Sequence, residues 1–238
     1  MCIAVFCPKG KRLTQEAFFE CWYSNDDGGG FMYAHEGALK IVREINDPMR
    51  LWKEYQNALK VAYSPFVLHF RIATSGKVNL KNCHPFRINE GLAVCHNGII
   101  DIKIKSKALS DTVHFTKLLR RLPPNFLHKW EYKELIAGYC AGSKLVFMSG
   151  AGEVEIINEC LGLWDSGVWF SNNSYKPATA YSQLSGAKYA YYDRDTISEP
   201  FEFDEGSDLD ELCAQCFEPL REREHRVCAV CKLPHSIR

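Results

Sequence analysis

The sequence predicts a layered α+β domain followed by a small cysteine-rich module. Two observations carry the domain. Strand-like, helical and again strand-like segments succeed one another between residues 2 and 172, the order expected of an α+β layered fold. Two hairpin signals, His35-Glu36-Gly37-Ala38 and Gly150-Ala151-Gly152, join apolar runs of strand length. A third observation carries the module. After Tyr192 the composition turns acidic, and cysteines then recur in pairs.

Residues 2–7, CIAVFC, read as a short buried strand. Pro8 to Arg12 form a turn. Leu13–Trp22 has helical spacing, with Thr14 as its N-cap. Asn25 to Gly30 read as a loop, and Phe31–Ala34 and Leu39–Ile45 as the arms of the first hairpin. Asp47-Pro48 opens a helix, cap followed by first-turn proline. Met49, Trp52, Tyr55 and Leu59 then recur at helical spacing and predict a core stripe. Phe66–Ile72 and Leu92–His96 read as buried strands. Ser110-Asp111 precedes a helix over Val113–Leu122, with Phe115, Leu118, Leu119 and Leu122 along one side, and Pro123-Pro124 ends it. Phe126–Cys140 predicts one further helix, Lys144–Ser149 and Glu153–Asn158 the second hairpin, and Val168–Asn172 a last strand.

A chain of 238 residues holds one substantial domain and a small module. It has no apolar run of about 18 residues, so no membrane span is expected. Its N-terminus lacks a leading basic region and a small-residue cleavage site, which argues against a secretory signal. Eleven cysteines without secretory context suit a reducing compartment, here the cytoplasm, and metal-binding or reactive thiols. The net charge is zero but uneven. Asp195 to Leu212 carries eight acidic residues and no Lys or Arg, and Cys213 to Arg238 carries five basic and three acidic, or +2. Residues 1–194 therefore carry 0 + 8 − 2 = +6. That balance suits anionic small molecules and is too weak to indicate nucleic acid.

Cys2 is the first candidate for chemistry. Once Met1 is trimmed, its thiol and a free α-amine share one residue. Thiolate is the nucleophilic form, and an α-amine of pKa about 7.7–8.0 is partly free base near neutrality. Three further stretches lie at strand edges, where loops gather functional groups: His69-Phe70-Arg71-Ile72-Ala73-Thr74-Ser75-Gly76, Asn82-Cys83-His84-Pro85-Phe86, and Cys95-His96-Asn97-Gly98. Taken alone, Asn97-Gly98 is a hairpin turn signal. His69, His84 and His96 read as structural hydrogen-bonders, and Cys95 as core packing.

Together with Cys2 and Ser110-Asp111-Thr112, these stretches resemble the class II glutamine amidotransferase domain, an N-terminal-nucleophile hydrolase, over roughly residues 2–180. The resemblance implies a four-layer αββα sandwich. It implies Cys2 as nucleophile with its own α-amine as general base. Asn97 (side-chain N–H) and Gly98 (backbone N–H) would be the oxyanion donors. Arg71 would pair with the α-carboxylate of glutamine and Asp111 with its α-ammonium. Thr74 and Gly98 would line the pocket. Each role suits its residue. Guanidinium grips carboxylate bidentately where lysine does not, and glycine lets backbone approach substrate. The loop Asn25 to Gly30 departs from the family's Arg-Gly and D-x-x-G elements, and Ser75 stands where sugar-phosphate-aminating members have His. Residues 76–86 look more like small stand-alone members.

The expected function is glutamine amide hydrolysis through a Cys2 thioester. The 46 residues after 192 are too few for a synthase, so the ammonia would feed a separate acceptor enzyme. The alternatives are a related amidase acting on a γ-glutamyl or other amide, and a non-catalytic docking or nucleic-acid-binding module that uses the tail. The expected divisions are 2–192, an acidic linker 193–212, and the tail 213–238. In the tail, Cys213-x2-Cys216 and Cys228-x2-Cys231 are eleven residues apart. Four thiolates at that spacing can close a tetrahedral structural Zn²⁺ site, and the metal would supply the folding energy that so short a segment lacks. The zinc–thiolate charge of −2 cancels the tail's +2, which favours protein docking over nucleic-acid binding.

Overall fold

A computed structural model describes residues 2–176. The expected linker and the cysteines at 213, 216, 228 and 231 lie outside the described residues. Among the described residues, ten strands and four helices form four layers. The six-stranded sheet has the order β3-β2-β4-β1-β10-β9 and the four-stranded sheet β5-β6-β7-β8. All of their pairings are antiparallel.

The larger sheet comprises β1 (Ile3–Cys7), β2 (Gly29–His35), β3 (Ala38–Glu44), β4 (Phe66–Phe70), β9 (Leu163–Asp165) and β10 (Val168–Phe170). Its outer face carries α1 (Gln15–Tyr23) and α2 (Pro48–Val61). The smaller sheet comprises β5 (Phe86–Asn89), β6 (Leu92–Asn97), β7 (Lys144–Ser149) and β8 (Val154–Ile157), backed by α3 (Asp111–Leu119) and α4 (Trp130–Tyr139). Strand alternation explains the layering. In β1, Ile3, Val5 and Cys7 join the core beneath α1 and α2, while Ala4 meets the second sheet. In β6, Leu92 and Val94 pack under α3, while Ala93 and Cys95 face the first sheet. A strand buried on both faces reads as an unbroken apolar run, which is why these two were legible.

The helix starts follow capping chemistry. The side chains of Thr14, Asp47 and Ser110 accept from the backbone N–H of Ala17, Arg50 and Val113, satisfying donors that have no helical partner.

Several boundaries differ from expectation. Met49 is 60% exposed, because the buried stripe of α2 runs through Leu51, Tyr55 and Ala58 and the first turn lies off it. Phe126–Cys140 is two elements, a 3₁₀ turn over Phe126–His128 and then α4, since Lys129 is extended at φ −110°. Helix α3 ends at Leu119, and Leu118 is half exposed. Gly29 and Gly30 belong to β2, paired with Phe70 and His69. Glycine is required at position 30, where a Cβ would lie 2.3 Å from the His84 carbonyl and 2.6 Å from that of Val42. The short strands β5 and β9 have no counterpart in the sequence pattern. Among the described residues no helix is long and apolar enough to cross a membrane, and no cluster of three or more His, Cys, Asp or Glu side chains could hold a metal ion.

Candidate active site

The ends of β1, β4 and β6, the tail of β10 and the N-terminus of α3 converge. Cys2 is half-buried where β1 begins. Its thiol donates to the Ile72 carbonyl at 3.3 Å, and its own carbonyl accepts from Asn172 Nδ2 at 2.7 Å. Burial pushes the Cys2 thiol above its ordinary pKa, with the Arg71 charge offsetting part of that rise. At neutral pH the sulfur is therefore protonated, and chemistry on it needs a base.

Arg71 follows the last residue of β4 and is buried. Its Nη2 donates to the Ser75 carbonyl at 2.8 Å, while Nη1 is buried with no hydrogen-bond partner. No carboxylate pairs with it among the described residues. A buried, unpaired cation is costly, so the site calls for an anion. The loop 71–76 is held from two sides. Asp27 Oδ2 accepts from Ala73 N at 2.7 Å. Buried Asn82 donates to the carbonyls of Lys77 and Ala108 and accepts from Ser110 N, tying this loop to the one that leads into α3. Thr74 is exposed on the same loop.

Asn97, the last residue of β6, is buried, and its Nδ2 donates to Ser171 Oγ at 2.7 Å. Gly98 follows at φ +144°, so its backbone takes a course that L-residues rarely adopt. Asp111 opens α3. Its Oδ2 accepts from Ile100 N at 2.8 Å, and its Oδ1 from Thr112 N at 2.7 Å and from the Thr112 hydroxyl at 3.2 Å. Oδ2 keeps a lone pair for one further donor. Cys2, Arg71, Asn97, Gly98 and Asp111 thus gather at one end of the sandwich. Asp27, Asn82, Ser171 and Asn172 support them and were not picked out as site residues in the sequence. Their only signal there is a polar cluster at a strand or loop end.

Beneath Arg71 lie His69, His84 and His96, all buried. The His69 and His84 rings are 3.9 Å apart by centroid, and those of His84 and His96 6.5 Å. His69 Nε2 donates to the His96 carbonyl at 2.9 Å. His96 Nδ1 and the Thr112 hydroxyl are hydrogen-bonded at 2.8 Å. The other four ring nitrogens of this trio have no partner. Burial holds His69 at about 3 and His96 at about 4, the Asp111 charge opposing the shift at His96, and it holds His84 well below the usual range. These imidazoles are neutral; His69 and His96 each make one hydrogen bond as expected, whereas His84 makes none and is held by ring contacts with His69 and Phe86, and Cys95 is buried core as expected.

A pH dependence follows. Each folded-state pKa lies below the unfolded value near 6.5, so the stabilisation is complete above about pH 6.5 and is lost as pH falls toward 4. As pH falls from 6.5 to 5, the loss per histidine steepens from about 0.7 toward about 1.4 kcal/mol of stability per pH unit. Urea unfolding at pH 7, 6 and 5 tests this, and a midpoint constant across that range would contradict it.

All seven described cysteines are free thiols. No family profile matches the chain, and no curated protein matches it. The solved structures it is similar to include glutamine phosphoribosylpyrophosphate amidotransferase from B. subtilis complexed with ADP and GMP, at 15% identity and TM-score 0.45, and the allosteric regulatory enzyme of purine biosynthesis, at 14% and 0.42. Each match takes in 71% of this chain and 41% of the other, so the chain spans well under half the length of either.

Proposed function

We propose that this chain is an N-terminal-nucleophile glutamine amidohydrolase of the class II amidotransferase type. The observation that carries the reading is the buried, unpaired Arg71 guanidinium beside the thiol of the second residue. The substrate would be a small molecule with an anionic head and a reactive carbonyl.

After removal of Met1, the α-amine of Cys2 takes the thiol proton. The thiolate attacks the side-chain carbonyl carbon of glutamine. The tetrahedral oxyanion is held by Asn97 Nδ2 and the backbone N–H of Gly98. The C–N bond then breaks, and the proton returned from the α-ammonium leaves with ammonia. Water, deprotonated by the same amine, hydrolyses the thioester, giving glutamate and restoring the thiol. Arg71 takes the substrate α-carboxylate, the spare lone pair of Asp111 takes its α-ammonium, and Thr74 and Gly98 wall the pocket. This clamp on both charged ends accounts for glutamine over an amide without an amino-acid head. The ammonia passes to a separate acceptor enzyme. Cys213, Cys216, Cys228 and Cys231 keep the zinc-ligand role that their spacing supports, in a tail that docks protein.

The test uses the full chain, with loss of Met1 confirmed by intact mass. Incubation with glutamine is expected to release ammonia. A glutamine analogue with a diazoketone in place of the amide is expected to label Cys2 even where turnover is slow. Absence of both ammonia and label would overturn the proposal.

A further inference from the structure

The geometry points to Ser171 as the positioning residue that fixes the oxyanion donor Asn97 to the nucleophile strand. The inference rests on the amidohydrolase reading of Cys2 and Asn97 and adds a residue to it.

Ser171 lies one residue past β10 and is 1% exposed. Its backbone N–H donates to the Ala4 carbonyl at 2.9 Å. Its Oγ accepts from Ala4 N at 2.8 Å and from Asn97 Nδ2 at 2.7 Å. One buried oxygen thus receives a donor from β1, two residues after the thiol, and a donor from β6 in the other sheet. Both of its lone pairs are taken. The next residue, Asn172, holds the carbonyl of Cys2. A two-residue segment therefore ties down both the nucleophile residue and the amide that faces it.

The bond matters to catalysis because of how a primary amide is built. Nδ2 carries two N–H groups in one plane. Ser171 takes one, which fixes the plane of the amide and so the direction of the other. An oxyanion donor works only when aimed in advance at where charge develops. Without Ser171 Oγ, the Asn97 amide can rotate about its last side-chain torsion, which is broad and has no staggered well to hold it. Ala4 N–H would at the same time be left buried and unpaired.

Ser171→Ala is expected to lower kcat for glutamine about 10²-fold with KM within about twofold, because Arg71 and Asp111 still hold both ends of the substrate. Ser171→Thr keeps the oxygen and is expected to recover most of kcat. A double-mutant cycle separates positioning from general destabilisation. In an Asn97→Ala background, Ser171→Ala is expected to change kcat less than threefold, since the group it positions is gone. Additive losses, or a loss confined to KM, would overturn the inference. A further readout does not depend on turnover. In the wild type one Asn97 side-chain amide proton is expected to be protected from solvent exchange, with protection lost in Ser171→Ala. Protection lost on substitution, in a protein inert toward glutamine and unlabelled by the diazoketone, would leave the contact standing and sink the amidohydrolase reading instead. Protection unchanged in Ser171→Ala would sink the positioning role alone.

Discussion

Cys2→Ala is expected to release no ammonia from glutamine and to take up no diazoketone, while unfolding within about 0.5 kcal/mol of wild type. The stability expectation follows from position. Cys2 is partly buried and precedes β1, and its side chain makes one weak bond, to the Ile72 carbonyl at 3.3 Å. Its anchoring bond runs from Asn172 to the Cys2 carbonyl, which alanine keeps. Substitutions away from core and network features stay near ±0.5 kcal/mol. The activity expectation follows from chemistry, since the other described cysteines nearest the site residues, Cys83 beside Arg71 and Cys140 beside Asp111, are buried thiols pushed up to about 12. A companion variant separates thiol from amine. One residue inserted ahead of Cys2, in a form that resists processing, keeps the sulfur and removes the free α-amine. With burial raising the thiol pKa, the site then lacks its base, and turnover and labelling at pH 7 are both expected to fall to background. In the processed wild type, kcat/KM is expected to rise with pH through the α-amine titration, whose reference value is about 7.7–8.0. An active species still carrying Met1, seen by intact mass, would break this mechanism.

What the sequence disclosed depended on whether a residue's partners lie near it in the chain. Arg71, Asn97-Gly98 and Asp111 sit where an apolar run ends or a helix begins, and such boundaries are local signals. Thr14 and Asp47 were legible as caps for the same reason, and Ser110-Asp111 as a helix start. Ser171 acts on Ala4 across 167 residues, through the antiparallel pairing of β1 with β10, and nothing around either residue encodes that meeting. Asp27 reaches Ala73 across 46 residues, so its bracing of the Arg71 loop left no local signal in the sequence. Met49 was misplaced because residues 49, 52, 55 and 59 satisfy helical spacing as well as 51, 55 and 58 do. Only the sheet beneath α2 decides which stripe is buried. Strands β5 and β9 have four and three residues, too few to establish a period.

Gly98→Ala is expected to cost on the order of 3 kcal/mol in stability and about 10²- to 10³-fold in kcat. Two independent effects act there. The residue stands at φ +144°, outside the regions open to a residue with a Cβ. A Cβ would also lie 2.2 Å from Ser143 Oγ, 2.7 Å from Ser143 Cβ and 2.8 Å from the Ser143 backbone. Ser143 cannot simply swing aside, because its Oγ donates to the Ile99 carbonyl at 3.1 Å and its backbone is bonded to Cys140 and Asn158. The chain at 98 must therefore move, and the backbone N–H proposed to face the oxyanion moves with it, together with Ile100 N, the donor to Asp111. Trimming the obstacle distinguishes the two effects. Ser143→Gly combined with Gly98→Ala removes the Oγ and Cβ overlaps and is expected to recover part of the stability. It is expected to recover little of kcat, since the φ requirement and the overlap with the backbone at 143 persist. Gly138→Ala is the control, because a Cβ there meets nothing within 4 Å in the last turn of α4, where alanine is the better helix former. It is expected to melt at or above the wild-type temperature with unchanged turnover. A Gly98→Ala protein as stable and as active as that control would mean that the backbone at 98 neither needs its conformation nor faces the substrate.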